Sequence, residues 1–160
     1  MSNRISFAVA TAVALTAVAG MAHSDGHADK ALSAAIKARQ AQMQLISYNT
    51  SLLGDMAKGE TEYNADTAAS AASNLAAVAK LDRSILWVEG SVQGSVPDTR
   101  AKAAIWSDPA GFDTAATNLE MAAAALAEVA GNDLETLRGA MADVGKACGA
   151  CHDDYRGPRN

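Results

Sequence analysis

The sequence predicts an all-α protein, an antiparallel up-down-up-down four-helix bundle, on three observations. Alanine supplies 38 of 160 residues against three prolines, a mixture that favours helix because alanine loses no side-chain entropy there. Apolar positions recur at alternating spacings of three and four in four segments of similar length. Capping and turn residues separate those segments by links short enough to make neighbours antiparallel. A chain of this length holds one domain.

The first segment is an address. Arg4 supplies a positive start, Ile5 to Ala19 form an uncharged apolar run, and small residues follow as far as Ala22. Residues 1–22 are therefore expected to be a cleaved secretory signal, with the bundle domain over 23–160 and a periplasmic location. The run is too short to span a bilayer, which takes about 20 apolar residues.

The first helix is expected from about Asp29 to Ala57, with Leu32, Ile36, Arg39, Met43, Ile46, Thr50 and Leu53 on one stripe. Asn64 can cap a second helix running to about Trp87 and carrying Ala68, Ala71, Leu75, Val78 and Ile85. Gly90, Gly94 and Pro97 mark a crossover loop, with a short helical run over Thr99–Trp106. Asp108-Pro109 starts the third helix, which places Phe112, Ala115, Leu119, Ala122, Leu126 and Val129 on one face before Gly131. Asn132 with Glu135 resembles a capping box for the fourth helix. That helix carries Leu134, Leu137, Met141, Val144, Cys148, Cys151 and Tyr155 inward and stops at Gly157-Pro158.

Charge narrows the partners. The chain has 13 Lys and Arg against 18 Asp and Glu, a net charge of −5. It lacks the clustered basic footprint of a nucleic-acid binder, and no membrane insertion is expected.

The chemistry lies in Cys148-Gly-Ala-Cys151-His152. On a helix these residues are spaced i, i+3 and i+4, so both sulfurs and the imidazole project to one side. This is the attachment signature for haem c: two thioethers to the macrocycle, with the next residue's imidazole, His152, as axial iron ligand. Alanine at inward positions leaves volume for the ring. Three other readings compete. A disulfide would enclose only two residues and stabilise little; a redox dithiol expects a helix N-terminus; half a zinc site has only His152 nearby, His23 and His27 being at the leader junction. These define a different-class alternative, a thiol-disulfide or metal-handling helical protein.

Arg39 stands on the inward stripe, where a bare guanidinium is costly. A haem propionate would satisfy it; the alternative is that its stem lies on the stripe and its head reaches water. Met43, one turn on, is either core packing or a thioether facing the iron opposite His152. Leu45 and Leu52 are apolar positions on the outer side of the same helix, the beginning of an interface.

With the attachment motif at the far C-terminus of four helices, the chain resembles the cytochrome c′ family, the class II c-type cytochromes. The matching pieces are Arg39-Gln40 with Met43, Lys58-Gly59 with Tyr63-Asn64-Ala65, Ala101-Lys-Ala-Ala-Ile-Trp106, and Val144 to Arg156 around the motif. The resemblance implies one haem c per chain held by Cys148, Cys151 and His152. It also implies propionate contacts from Arg39 and Gln40, Met43 on the distal face, and Arg156 flanking the proximal face. It further implies a mainly five-coordinate iron that binds NO or CO, a role in electron transfer or NO handling with a redox partner protein, no enzymatic activity, and a homodimer through the first two helices. A subgroup of class II proteins uses a methionine at the Met43 position as a sixth ligand, giving a low-spin electron carrier.

Overall fold

A computed structural model describes residues 24–159, with side chains described from residue 29. The expected leader over 1–22, His23 and the side chain of His27 lie outside the described residues. The elements are α1 (Ser24–Lys58), α2 (Ala65–Ala79), a short α3 (Ala104–Ser107), α4 (Pro109–Val129) and α5 (Leu134–Tyr155). Among the described residues there is no strand, only two isolated bridges, Gln93 with Val96 and Ala101 with Arg156. The four long helices form the expected bundle, and α3 lies in the crossover between α2 and α4.

Local chemistry fixes the boundaries. Gly59 leaves α1 with φ of +79°, a conformation cheap only for a residue without a β-carbon. Asn64 caps α2, its side chain accepting from Thr67 N at 2.8 Å. Asp108 caps α4 by accepting from Gly111 N at 3.1 Å, with Pro109 at the first helical position.

Two expectations shift. The second helix stops at Ala79 rather than near Trp87, and Ile85 is 70% exposed instead of buried. The Asp82 carboxylate accepts from Ser84 N and Oγ at 2.9 and 2.7 Å, a turn that competes with helix. Arg83 is drawn away to Asp113 and Glu120 on α4. The fourth long helix is capped by Asp133 rather than Asn132: its side chain accepts from Thr136 N at 2.8 Å.

The inward edge of α1 is also rotated from the expected stripe. It reads Ile36, Arg39, Gln42, Ile46, Asn49, Leu53 and Met56, whereas Leu32 and Thr50 are half-buried and Met43 is exposed. Gln42 is turned in because α2 packs there; its Nε2 donates to the Val78 carbonyl at 2.9 Å. The main core joins Leu53, Leu75, Leu126, Leu137 and Val144 with small alanines of α2 and α4. A second, smaller cluster of Ala101, Ile105, Phe112 and Tyr155 closes the crossover end.

Candidate functional site

The last two turns of α5 carry Cys148, Cys151 and His152 on one side, as the spacing requires. All three are half-buried, and the two thiols are unpaired. Cys148 packs on the main core and Cys151 on the aromatic cluster, so the pair marks the seam between the two. Burial pushes both thiols up; for Cys151 the neighbouring Cys148 adds to it. A thiol raised this way is a poor thiolate, the opposite of what a redox dithiol needs. Burial, then Arg156 and Arg100, pushes His152 down, which keeps its imidazole neutral and able to ligate a metal.

Facing this helix is α1. Arg138 Nε donates to the Ala57 carbonyl at 2.6 Å and pins the register of the antiparallel pair. Counting fourteen residues back from Ala57 and fourteen on from Arg138, roughly 21 Å along each helix, brings Met43 level with His152. At that level the half-buried motif interrupts an α5 edge that is buried at Val144 and again at Tyr155, while on α1 Met43 is 38% exposed beside a buried edge that continues through Arg39, Gln42 and Ile46.

Arg39 is turned inward, which removes the reading in which its head reaches water. Its Nη1 donates to Ser91 Oγ at 2.5 Å, and its Nη2 to the Ser91 carbonyl at 2.9 Å and Thr99 Oγ1 at 2.5 Å. The guanidinium carbon lies 4.9 Å from the centroid of the Trp87 ring, a cation–π contact. These acceptors offset the cost of burying the charge, and they tie α1 to the crossover. Trp87 stands edge-on to Phe112, and Phe112 to Tyr155, with centroids 5.0 and 5.3 Å apart. Trp106 Nε1 donates to the Trp87 carbonyl at 3.1 Å. Gln40, exposed, donates from Nε2 to the Asp98 carbonyl, and Asp98 holds a φ of +59°. Arg156 caps α5 with its backbone and leaves its side chain exposed.

Sequence reading missed Trp87, Ser91 and Thr99 as neighbours of Arg39. The polar pair carries no periodic signal, lying 52 and 60 residues away in a loop. A hollow of about 550 Å³ on the outer side of Trp87 and Phe112 is lined by Lys80, Arg83, Trp106 and Glu120 and by neither thiol; it is separate from the motif.

The family model for cytochrome C′ matches residues 34–156. The chain belongs to the cytochrome c′ family. It is 44% identical over 121 residues to cytochrome c-554 of Cereibacter sphaeroides, covering 76% of this chain and 91% of that one. It is 36% identical over 148 residues to a cytochrome c′ of the same species, covering 92% and 95%. The solved cytochrome c′ from Rhodobacter "Spheriodes" superposes with a TM-score of 0.78 at 38% identity, over 80% of this chain and 98% of that one. Two further solved relatives each cover 79% of this chain and 97% of their own. One is a nitric oxide complex of a cytochrome c prime variant from Alcaligenes xylosoxidans (TM-score 0.70, 29% identity). The other is a cytochrome c′ with ligand-controlled dimer dissociation (TM-score 0.73, 32% identity). Cytochrome c′ proteins carry covalently attached haem c, and the residues present fit that group: two unpaired thiols three apart and a neutral imidazole beside them, all half-buried on one side of α5. Among the described residues no helix is long and apolar enough to cross a membrane.

Proposed function

We propose that this c-type haem protein is periplasmic, holds its haem between α1 and α5, and presents an iron face open to NO or CO. Cys148 and Cys151 hold the macrocycle as thioethers, and His152 supplies the axial nitrogen. When bound, the haem supplies a one-electron iron couple and a coordination position for small neutral ligands. Arg39 fixes the crossover wall through Ser91 and Thr99 and, with Gln40, stands where the propionates are expected. Arg156, one turn beyond His152, flanks the other face. The chain acts by ligand binding and electron transfer rather than by catalysis with groups of its own.

The observation that carries this reading is that Cys148, Cys151 and His152 are half-buried on one side of α5, where they interrupt its buried edge. Met43, at the level of His152 on α1, is exposed and not locked into the core, so a small ligand can displace it. The same register favours a second reading, in which the Met43 thioether is a sixth ligand and the protein is a low-spin electron carrier. The apolar outer edge of α1, with Leu45 and Tyr48 exposed and Leu52 half-buried, is the surface through which the homodimer would form.

The visible spectrum of the exported, haem-loaded chain tests this. Recorded ferric, ferrous, and ferrous with CO or NO, it is expected to show broad high-spin bands that shift on adding gas. Sharp low-spin bands indifferent to CO would assign Met43 as a ligand, and a colourless protein would remove the haem assignment altogether.

A further inference from the structure

The crossover returns to the end of α5 and is zipped to it. Gly157 N donates to the Arg100 carbonyl at 2.7 Å, and Lys102 N to the Tyr155 carbonyl at 3.0 Å. Arg100 Nε reaches the carbonyls of Gly157 and Pro158 at 2.8 and 3.2 Å, and Lys102 Nζ reaches that of Asp153 at 2.7 Å. The pairing lays Arg100-Ala-Lys102 beside Arg156-Gly-Pro-Arg159, four cations in two segments that contain no carboxylate. On a chain of net charge −5 this is a local reversal of sign.

A structural duty explains half of it. Arg100 and Lys102 satisfy carbonyls at the negative end of the α5 dipole. Arg156 and Arg159 are exposed, and their side chains make no hydrogen bond among the described residues. The ion pairs among the described residues join Lys58 to Glu60 and Arg83 to Asp113 and Glu120, and involve none of the four. The three guanidinium groups feel one another: after burial, Arg156 and Arg159 are what lower the proton affinity of Arg100. Asp98, Asp153 and Asp154, the side-chain carboxylates nearest in sequence, leave an excess of one positive charge.

We propose that the patch of Arg100, Lys102, Arg156 and Arg159 is the docking surface for an acidic protein that exchanges electrons with this chain. The proposal rests on the assignment of haem to Cys148, Cys151 and His152, because Arg156 lies one helical turn beyond His152 and a partner seated there is brought against the prosthetic group. A compact acidic site on a partner fits the patch better than an extended anionic membrane does. The remaining surface carries the chain's negative charge and is repelled by such a sheet. Complementary charge of this kind acts chiefly on the rate of encounter.

The test uses the ferrous, haem-bearing chain mixed with one of two inorganic oxidants, the ferricyanide anion or a tris(phenanthroline)cobalt(III) cation. In each reaction one electron leaves the ferrous protein and reduces the oxidant, without proton transfer. Rates are followed from about 10 mM to 0.5 M ionic strength, over which the screening length falls several-fold. Ferricyanide oxidation is expected to slow as salt rises, despite the negative net charge. The R156Q/R159Q double variant is expected to lower the ratio of the ferricyanide rate to the cobalt rate by about three- to tenfold at low salt, a ratio that a change in the haem's own potential beside Arg156 moves little because it acts on both reactions alike. Ferricyanide oxidation that quickens with salt, or a rate ratio that ignores the double substitution, overturns the docking surface while leaving the haem assignment standing. Absence of haem bands before mixing overturns both. Co-sedimentation of the wild-type chain, but not the double variant, with anionic phospholipid vesicles would reassign the patch to a membrane surface and overturn the protein partner.

Discussion

Where α1 turns into α2, the bundle is closed by Leu53, Leu126 and Leu137, all fully buried and packed on alanines that let the helices approach closely. Where the crossover meets α5, the material is aromatic and polar: Trp87, Phe112 and Tyr155 edge to edge, a buried arginine held by two loop residues, and half-buried thiols and imidazole. The first end completes its own core. The second leaves Cys148, Cys151 and His152 half-buried and Met43 exposed on the facing helix, and the haem that the family carries is proposed to complete it. The difference teaches that this bundle is a rigid clamp at one end and an adaptor at the other, with Cys148 and Cys151 at the join.

The largest effect is expected from removing the join. The C148S/C151S double variant should carry no haem that survives denaturation, checked by haem staining of a denaturing gel. It should retain most of its far-UV helical dichroism, because the leucine end does not depend on the haem; collapse of helicity would erase the contrast between the ends.

Next, Leu126→Ala in the closed end should cost about 2–5 kcal/mol, read from denaturant unfolding, and leave the visible spectrum unchanged. Arg39→Ala should act in the opposite sense. It removes three hydrogen bonds and leaves Ser91 Oγ without its donor, costing about 2–4 kcal/mol, and it should shift the haem midpoint potential with attachment intact. An unchanged potential would remove the propionate pairing while leaving the crossover role. Arg39→Lys should recover only part of the loss, since one ammonium cannot span both loop residues as the planar fork does.

The smallest effect concerns acid. The backbone N–H of Thr136, helped by its hydroxyl, holds the Asp133 carboxyl below its ordinary value. A depressed carboxyl contributes stability that is present above its unfolded value, about 3.9, and is lost as pH falls through the lower folded value. Asp133→Asn should therefore lower stability slightly near neutrality and flatten the acid limb of the stability–pH curve, as thermal melts across pH would record.

Much of this was legible in the sequence because it is local. Cys148-Gly-Ala-Cys151-His152 declares its chemistry by spacing alone, and Asn64, Asp108 and Pro109 announce helix starts through bonds three residues long. The misreadings come where a longer-range partner decides. Hydrophobic pattern favours Met43 and Thr50 as inward positions, yet Gln42 and Asn49 are buried, because a polar side chain with a carbonyl to donate to is tolerated inside. The second helix is expected as far as about Trp87 because its apolar spacing continues through Ile85; Asp82 and the pull of α4 on Arg83 end it earlier. Arg39 was recognisable as an anomaly, but its acceptors lie in a loop without periodicity.

The bonds from Arg39 to the crossover have a consequence in time. They join residues 52 and 60 apart, so each closes a long loop and carries an entropic penalty that the i, i+4 bonds of the helices avoid. The aromatic wall is therefore expected to close after the four helices have formed, leaving a doorway for a group as large as a macrocycle. Both tryptophans, Trp87 and Trp106, stand in that wall. On refolding the haem-bearing chain, tryptophan emission should settle later than far-UV dichroism; simultaneous settling would mean that the wall and the helices form in one step.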